Sequence, residues 1–188
     1  MRPFVAPTVA PTPARSRARG LTLLELMVSI AVLALLAMAA VPSFDGFLQR
    51  REALGLSNQL VADLQALRAN ALARQEALRL TVRTPALGRG GCYAVHTGAA
   101  DACSCDSTTI RCTGAELLRG GVLPPDGRLL LRANVASMRL DPRQGTVSPT
   151  GSIEVIARGG PSLKHIVNLL GRVRVCAASG TWPGVPAC

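Results

Sequence analysis

The feature that most constrains this 188-residue chain is an apolar run near its N-terminus, from Leu21 to Val41. The run (LTLLELMVSIAVLALLAMAAV) has 21 residues and one charged side chain, Glu25. As a helix it would be about 31 Å long, which is enough to cross a hydrocarbon layer about 30 Å thick. We therefore predict a transmembrane helix over residues 21–42. Because a carboxylate inside a membrane costs free energy unless an opposite charge neutralises it, Glu25 should have a partner.

The residues before the run indicate how the chain is oriented. Residues 1–20 are rich in Pro and Ala and contain no acidic residue, which is typical of a leader. The basic cluster RSRARG at 15–20 predicts that the N-terminus stays in the cytoplasm and that the rest is exported. Gly20 precedes the run, so cleavage after Gly20 would leave the anchor in place. The alternative is an ordinary signal anchor in which Glu25 is incidental.

The sequence RGLTLLELMVSIAVLALLAMAAVP, residues 19–42, resembles the N-terminus of the type IV prepilin and pseudopilin family. The shared features are a glycine before the cleavage site, an apolar first residue and a glutamate five residues into the mature chain. The resemblance implies that a prepilin peptidase cleaves between Gly20 and Leu21 and methylates the new amino group of Leu21. It also implies that Glu25 pairs with the amino terminus of a neighbouring subunit during assembly.

The same resemblance divides the chain into a prepilin leader (1–20), a transmembrane assembly anchor (21–42) and a periplasmic globular domain (43–188). It implies a single-pass protein of the bacterial inner membrane with its N-terminus in the cytoplasm. The implied partners are the membrane, the prepilin peptidase and the other pilins or minor pilins of a pilus or pseudopilus.

The exported part begins with a helical pattern and continues with strands. Between residues 44 and 80, apolar residues such as Leu56, Leu60 and Leu64 recur at spacings of three and four, which predicts an amphipathic helix. Strand-like segments bounded by Gly and Pro follow: LRLTVRT (78–84), CYAVHT (92–97), GRLLLRANVASMRLDP (127–142), GSIEVIAR (151–158) and LKHIVNLLGRVRVC (163–176). The segment GAADACSCDSTTIRCTG (98–114) predicts a polar loop. We predict an α+β fold, with a long N-terminal helix, transmembrane and then amphipathic, packed on antiparallel β-sheets as in type IV pilins.

All six cysteines follow the anchor, which predicts disulfides in an oxidising compartment. Six cysteines allow 15 pairings, and we favour Cys176 with Cys188, which would tie the C-terminal residues to the last strand. The pairing among the other four, Cys92, Cys103, Cys105 and Cys112, stays open. The CSC sequence followed by Cys112 could also indicate a metal site, but neither His96 nor His165 has a typical ligand spacing, so we expect no metal.

Near the C-terminus, LLGRVRVC combines strand periodicity with two arginines. Residues two apart share a strand face, so Arg172 and Arg174 should stand together on the solvent side, about 6.6 Å apart at their bases. Two such side chains can reach successive phosphates of a nucleic acid, and Gly171 would permit a tight turn before them. Lys164 and Arg158 would widen this basic patch. The alternative, from the residues alone, is an ordinary solvated face.

The order of long helix, sheet and terminal GRVRVC is similar to that of FimT/GspH-like minor pilins. That resemblance implies that Gly171, Arg172 and Arg174 bind DNA during natural transformation. Residues 43–188 carry 17 basic and 10 acidic residues, and their net charge of +7 would attract phosphate without sequence preference. Twenty of the 21 basic residues of the chain are Arg, which suits anion binding but would also follow from codon usage. Because aromatic residues are few, we expect contacts with the DNA backbone rather than base stacking.

The leading hypothesis is therefore a minor type IV pilin that binds extracellular DNA and contributes to pilus biogenesis. The alternative is a structural pseudopilin of a type II secretion system, or a pilus-priming subunit that binds no DNA. The sequence shows no paired-carboxylate motif, nucleotide-binding glycine loop or histidine beside a nucleophile in a family signature. We therefore expect no enzymatic activity and no cofactor, with His96 and His165 as hydrogen-bonded strand residues.

Overall fold

The structure is a computed structural model that describes residues 22–84, 90–105, 108–123 and 127–188. The predicted leader and the predicted cleavage site between Gly20 and Leu21 lie outside these residues. The chain divides into two compact units between Pro42 and Ser43. Each unit is described by itself.

Helix α1 (Leu23–Arg74) begins in the first unit. The Thr22 hydroxyl oxygen accepts a hydrogen bond of 3.2 Å from the backbone N–H of Glu25, as an N-cap residue does. Glu25 lies in the first turn, where a negative charge interacts favourably with the helix dipole. The large apolar side chains from Leu23 to Met38 are exposed. Judged on the described residues, no helix combines the length and the apolarity that a bilayer crossing requires.

In the second unit, α1 is amphipathic, as the spacing of its apolar residues predicts. Its buried stripe consists of Ala53, Leu60, Leu64, Leu67 and Ala71. Two polar side chains of the same face are also buried, and each has a partner on a strand. The Ser57 hydroxyl is 2.8 Å from a ring nitrogen of His165, and Asp63 accepts a 2.7 Å hydrogen bond from Tyr93. Burial raises the pKa of Tyr93, and the bond to Asp63 raises it further.

Eleven strands follow the helix within the described residues. They are β1 (Leu78–Arg83), β2 (Gly91–His96), β3 (Cys103–Cys105), β4 (Ile110–Cys112), β5 (Leu117–Leu123), β6 (Leu129–Ala133), β7 (Ser137–Asp141), β8 (Thr146–Ser148), β9 (Gly151–Ala157), β10 (Ser162–Val167) and β11 (Val173–Ser179). One sheet has the order β5-β2-β1-β7-β8, a second has the order β11-β10-β9-β6, and β3 pairs with β4. The pairs of neighbouring strands are all antiparallel. The predicted α+β fold is confirmed.

The hydrophobic core lies between the buried face of α1 in the second unit and one face of each larger sheet. Leu80 of β1, Val155 of β9 and Leu163 of β10 are each at most 1% exposed. We call the sheet faces turned away from this core the outer faces. Since the core residues lie between Ala53 and Trp182, the second unit has its own hydrophobic core, as an independently folding domain does.

All six cysteines form disulfides, and all three bonds lie in the second unit. Cys176 is bonded to Cys188. The four cysteines whose pairing the sequence leaves open form Cys92–Cys105 and Cys103–Cys112. The segment predicted as a polar loop therefore contains the β3-β4 hairpin, which corrects that prediction. Strands of three residues are too short to show a hydrophobic period, and the disulfides hold them in place.

Candidate nucleic-acid interface

Residues 168–172 join β10 to β11. We call this connection, together with the first two residues of β11, the arginine turn (168–174). Val167 pairs with Val173 at its base. The Asn168 side-chain oxygen accepts a 2.8 Å hydrogen bond from the backbone N–H of Arg172. In the other direction, the Asn168 N–H donates to the Arg172 carbonyl oxygen at 3.1 Å. Both backbone polar groups of Arg172 are thus fixed by one asparagine.

Gly171 occupies a position that strongly favours glycine. Its φ of +70° lies in the left-handed region, which residues with a Cβ rarely adopt. A Cβ built there would be 3.5 Å from Cγ2 of Val147 and 3.6 Å from Cδ of Arg68, which are ordinary contact distances. Glycine is therefore needed for the backbone angle rather than for space. The carbonyl of Leu169, two residues before Gly171, accepts a 2.8 Å hydrogen bond from the Val147 N–H, which links the turn to β8 of the other sheet.

Arg172 and Arg174 are both exposed, while Val173 and Val175 between and after them pack against the core. The alternation expected for a strand is therefore present, although Arg172 lies just before β11 and only Arg174 belongs to that strand. On the sheet, Arg174 lies opposite Ile166. In the described part of the chain, neither guanidinium forms an ion pair with a carboxylate.

Lys164 lies near the two arginines on the outer face. It pairs with Cys176 across β10 and β11, so Arg174 is its diagonal neighbour at about 7–8 Å. On the other side, Lys164 pairs with Glu154 of β9. Glu154 also accepts a 2.6 Å hydrogen bond from the Ser162 hydroxyl. The carboxylate beside Lys164 offsets part of its charge, so this lysine is a weaker anion-binding group than the arginines.

Arg158 does not extend the patch, which corrects the expectation from the sequence. It follows the last residue of β9, in the turn that leads to β10, and its N–H donates to the Arg128 carbonyl oxygen at 2.7 Å. The arginine turn lies at the opposite end of β10, which has six residues. A strand of that length separates the two ends by about 17–20 Å.

The C-terminal residues cover part of the free edge of β11. The Ala177 N–H donates to the Pro186 carbonyl at 2.8 Å, and the Cys188 N–H donates to the Ala177 carbonyl at 3.0 Å. Trp182 is 4% exposed. Together with the Cys176–Cys188 bond, these contacts hold the strand that carries Arg174.

Both histidines are buried and hydrogen-bonded through both ring nitrogens. His165 Nδ1 lies 3.2 Å from the Ile153 carbonyl oxygen, which can only accept, so Nδ1 donates and Nε2 accepts from Ser57. In the same way, His96 Nδ1 donates to the Thr97 carbonyl at 2.6 Å. Burial lowers the pKa of His165. Through its contact with Ser57, the His165 side chain joins α1 to β10 on the core side of the sheet.

Two residues near the arginine turn were missed by reasoning from the sequence. Asn168 had a usable signal, because asparagine a few residues before a glycine is typical of a turn. Arg68 had none, since its position on α1 says nothing about which turn approaches it. Its side chain is half-buried and contacts the space beside Gly171.

Two family models match the chain. The model described as Type II transport protein GspH matches residues 56–171, which are 116 of the 188 residues. The model described as the prokaryotic N-terminal methylation motif matches residues 15–41. The first match ends at Gly171, so Arg172 and Arg174 lie beyond it.

A comparison with curated proteins finds no match. Among solved structures, two crystal structures of the type IV minor pilin FimU from Pseudomonas aeruginosa (strain PAO1) are similar. The structure in space group P21 is 18% identical to this chain. The match covers 73% of this chain and 97% of the FimU chain, with a TM-score of 0.48. The structure in space group P65 is 17% identical. The match covers 69% of this chain and 97% of the FimU chain, with a TM-score of 0.45. With TM-scores below 0.5, neither similarity supports a functional inference.

The methylation motif implies a membrane-anchored protein, and pilin family membership implies assembly with other pilins. Because the GspH model matches more than half of the residues and the methylation motif precedes it, the chain belongs to the GspH family of type IV pilin-like minor pilins and pseudopilins.

Proposed function

We propose that this chain is a minor type IV pilin that binds extracellular DNA through the arginine turn and serves DNA uptake in natural transformation. The observation that carries the proposal is the exposure of Arg172 and Arg174 on a turn whose backbone is fixed by Asn168. Because the backbone of Arg172 is already ordered, mainly the two arginine side chains lose freedom when an anion binds to them.

The chemistry of the turn fits a phosphate backbone better than a base edge. The bases of Arg172 and Arg174 are about 6.6 Å apart, so their long side chains can reach successive phosphates of one strand. The aromatic side chains of the chain are few, and Trp182 is buried, so base stacking is poorly supported. The expected binding is therefore independent of sequence and strongly weakened by salt.

The N-terminal part of the proposal concerns assembly. A prepilin peptidase would cleave between Gly20 and Leu21, remove the leader 1–20 and methylate the Leu21 amino group. The anchor would cross the inner membrane once, with the cytoplasm on its N-terminal side and residues 43–188 in the periplasm. Glu25 would then pair with the amino terminus of a neighbouring pilin, which neutralises a carboxylate in an apolar environment.

The test of DNA binding uses the full chain in a non-ionic detergent and a fluorescein-labelled duplex of random sequence. Arg172→Ala combined with Arg174→Ala should weaken binding at least several-fold at moderate salt. The matched control is Arg50→Ala, which removes an exposed arginine of α1 about 27 Å along the helix from Arg68. The leader arginines are common to every variant and cancel in the comparison. Equal affinity of the double variant and the parent would refute the site.

A second candidate function is supported by a specific observation. The matching family model is that of a type II transport protein, so a structural pseudopilin, or a priming subunit without DNA binding, also fits the family. In that case the two arginines would protect the open part of the β11 edge from pairing with another strand. A deletion strain separates the two functions, because loss of DNA uptake with normal pilus number favours DNA binding. Loss of pili, or of protein secretion, favours the structural function.

A further inference from the structure

One side chain of α1 lies directly beside the arginine turn. Cδ of Arg68 is 3.6 Å from the position that a Cβ on Gly171 would occupy. Gly171 is the residue before Arg172, and consecutive Cα atoms are about 3.8 Å apart. The helix and the C-terminal turn, which are far apart in sequence, therefore bring the stem of Arg68 next to the residue that precedes Arg172.

The surroundings of Arg68 determine where its charged end goes. Leu64 lies one turn before Arg68 on α1, and Leu67 lies one residue before it. Both leucines are buried and line a small apolar cavity together with Gly171. A guanidinium cannot enter such a cavity without a large desolvation cost. Arg68 is half-buried, which fits a side chain whose stem covers apolar surface while its charged end reaches water.

Within the described residues, the arginines at this position have no carboxylate partner. In the described part of the chain, Arg68 forms no ion pair with a carboxylate, and neither does Arg172 or Arg174. Two carboxylates on neighbouring strands have other neighbours: Asp141 accepts from the N–H of Arg143, and Glu154 lies opposite Lys164. Guanidinium groups that approach one another without a carboxylate between them repel, and a bound anion removes that repulsion.

We propose that Arg68 supplies a third guanidinium group to the site, so that a nucleic-acid strand contacts the helix as well as the turn. Arg68, Arg172 and Arg174 each bind one phosphate, at successive positions along the strand. This inference rests on the proposed function, because it names further contacts of the same ligand. Its ligand is a phosphodiester backbone that crosses from β11 towards α1.

The test measures how the affinity for the labelled duplex depends on salt, with the full chain in non-ionic detergent. Each phosphate contact adds about 0.9 to the slope of log K against log salt concentration. Arg68→Met keeps the apolar stem that lies beside Gly171 and removes the charge. It should lower the slope by about 0.9, and the affinity at about 0.1 M salt by about eight-fold. Arg68→Lys should restore the slope, because the positive charge is retained.

Arg50→Met is the matched control, since it removes an exposed arginine of the same helix outside the site. A thermal unfolding curve for each variant verifies that it is folded, and Arg68→Gln gives the same measurement if Arg68→Met does not fold. An unchanged slope for Arg68→Met, when Arg172→Ala lowers it, would overturn this inference and leave the proposed function standing. Absence of binding by the parent chain would instead overturn the proposed function, and the third contact with it.

Discussion

Replacing Gly171 by alanine tests whether the backbone angle of the arginine turn is what requires glycine. The φ of +70° costs an L-residue about 1–2 kcal/mol. Alanine also restricts the unfolded chain, which returns about 0.4–1 kcal/mol. The new Cβ adds no clash, because its nearest neighbours would be 3.5 Å away or farther. The expected net loss is about 1 kcal/mol of unfolding free energy.

The assay is urea unfolding of residues 43–188, followed by the fluorescence of Trp182, which is the only tryptophan and is buried. Gly55→Ala is the matched control, since Gly55 lies in α1, is exposed and has no atom within 4 Å of its built Cβ. There the same substitution should stabilise by about 0.8–1 kcal/mol, because alanine favours a helix. The two Gly→Ala changes should therefore have opposite signs.

Gly171→Asn makes the measurement specific for the backbone angle. Asparagine adopts the left-handed region more readily than alanine does, so its loss of stability should be clearly smaller. If Gly171→Asn is destabilised as much as Gly171→Ala, a steric effect rather than φ is responsible. If Gly171→Ala unfolds at the same urea concentration as the parent, the assigned role of this glycine is wrong.

Three further predictions concern the second unit. Removal of the Cys176–Cys188 bond by Cys176→Ser with Cys188→Ser should lower the unfolding free energy by about 2–4 kcal/mol. The measurement is urea unfolding under non-reducing conditions, and a loss below about 0.5 kcal/mol would contradict the prediction. Because burial lowers the pKa of His165, the unfolded chain binds a proton at this site more readily than the folded chain as the pH falls through about 6.5. Stability should therefore be highest above that pH and decrease below it, and His165→Gln should reduce this decrease. Arg139 lies directly opposite Arg79 on β1, so Arg139→Glu should raise the melting temperature through a gain of about 0.2–1 kcal/mol, and a lower melting temperature would refute the like-charge argument.

Elements with a strong period could be predicted from the sequence. The stripe that includes Leu60 and Leu64 predicted the amphipathic part of α1, and the alternation around Arg172 and Arg174 predicted that both arginines are exposed. Both patterns are local, since each depends on which side chains of one element face the core. Such patterns predict the folded structure well because burial of apolar area is the main driving force of folding.

Strand β5 was missed because two consecutive glycines interrupt its sequence. Each glycine is explained by a contact that is distant along the chain. A Cβ on Gly121 would be 2.7 Å from the ring of Tyr93, and one on Gly120 would be 2.5 Å from Cδ1 of Ile110. Glycine weakens a strand signal, yet here it makes room for side chains of β2 and β4. No local pattern could show that requirement.

The candidate site was predicted only where its residues are close in sequence. Gly171, Arg172 and Arg174 were found because they form one short segment. Arg158 lies at the other end of β10 and Arg68 lies beside the turn, and no local pattern shows either position. That information lies in the strand order and in the helix position, which depend on contacts between distant parts of the chain.

The two disulfides of the Cys-rich segment have a practical consequence for anyone who produces this protein. Cys103 and Cys105 are two residues apart on β3, yet Cys103 is bonded to Cys112 and Cys105 is bonded to Cys92. Four cysteines can pair in three ways, and thiol–disulfide exchange is the step that converts a wrong pairing into the native one. Peptide mapping of the native bonds is therefore the quality criterion for every sample used in the measurements above.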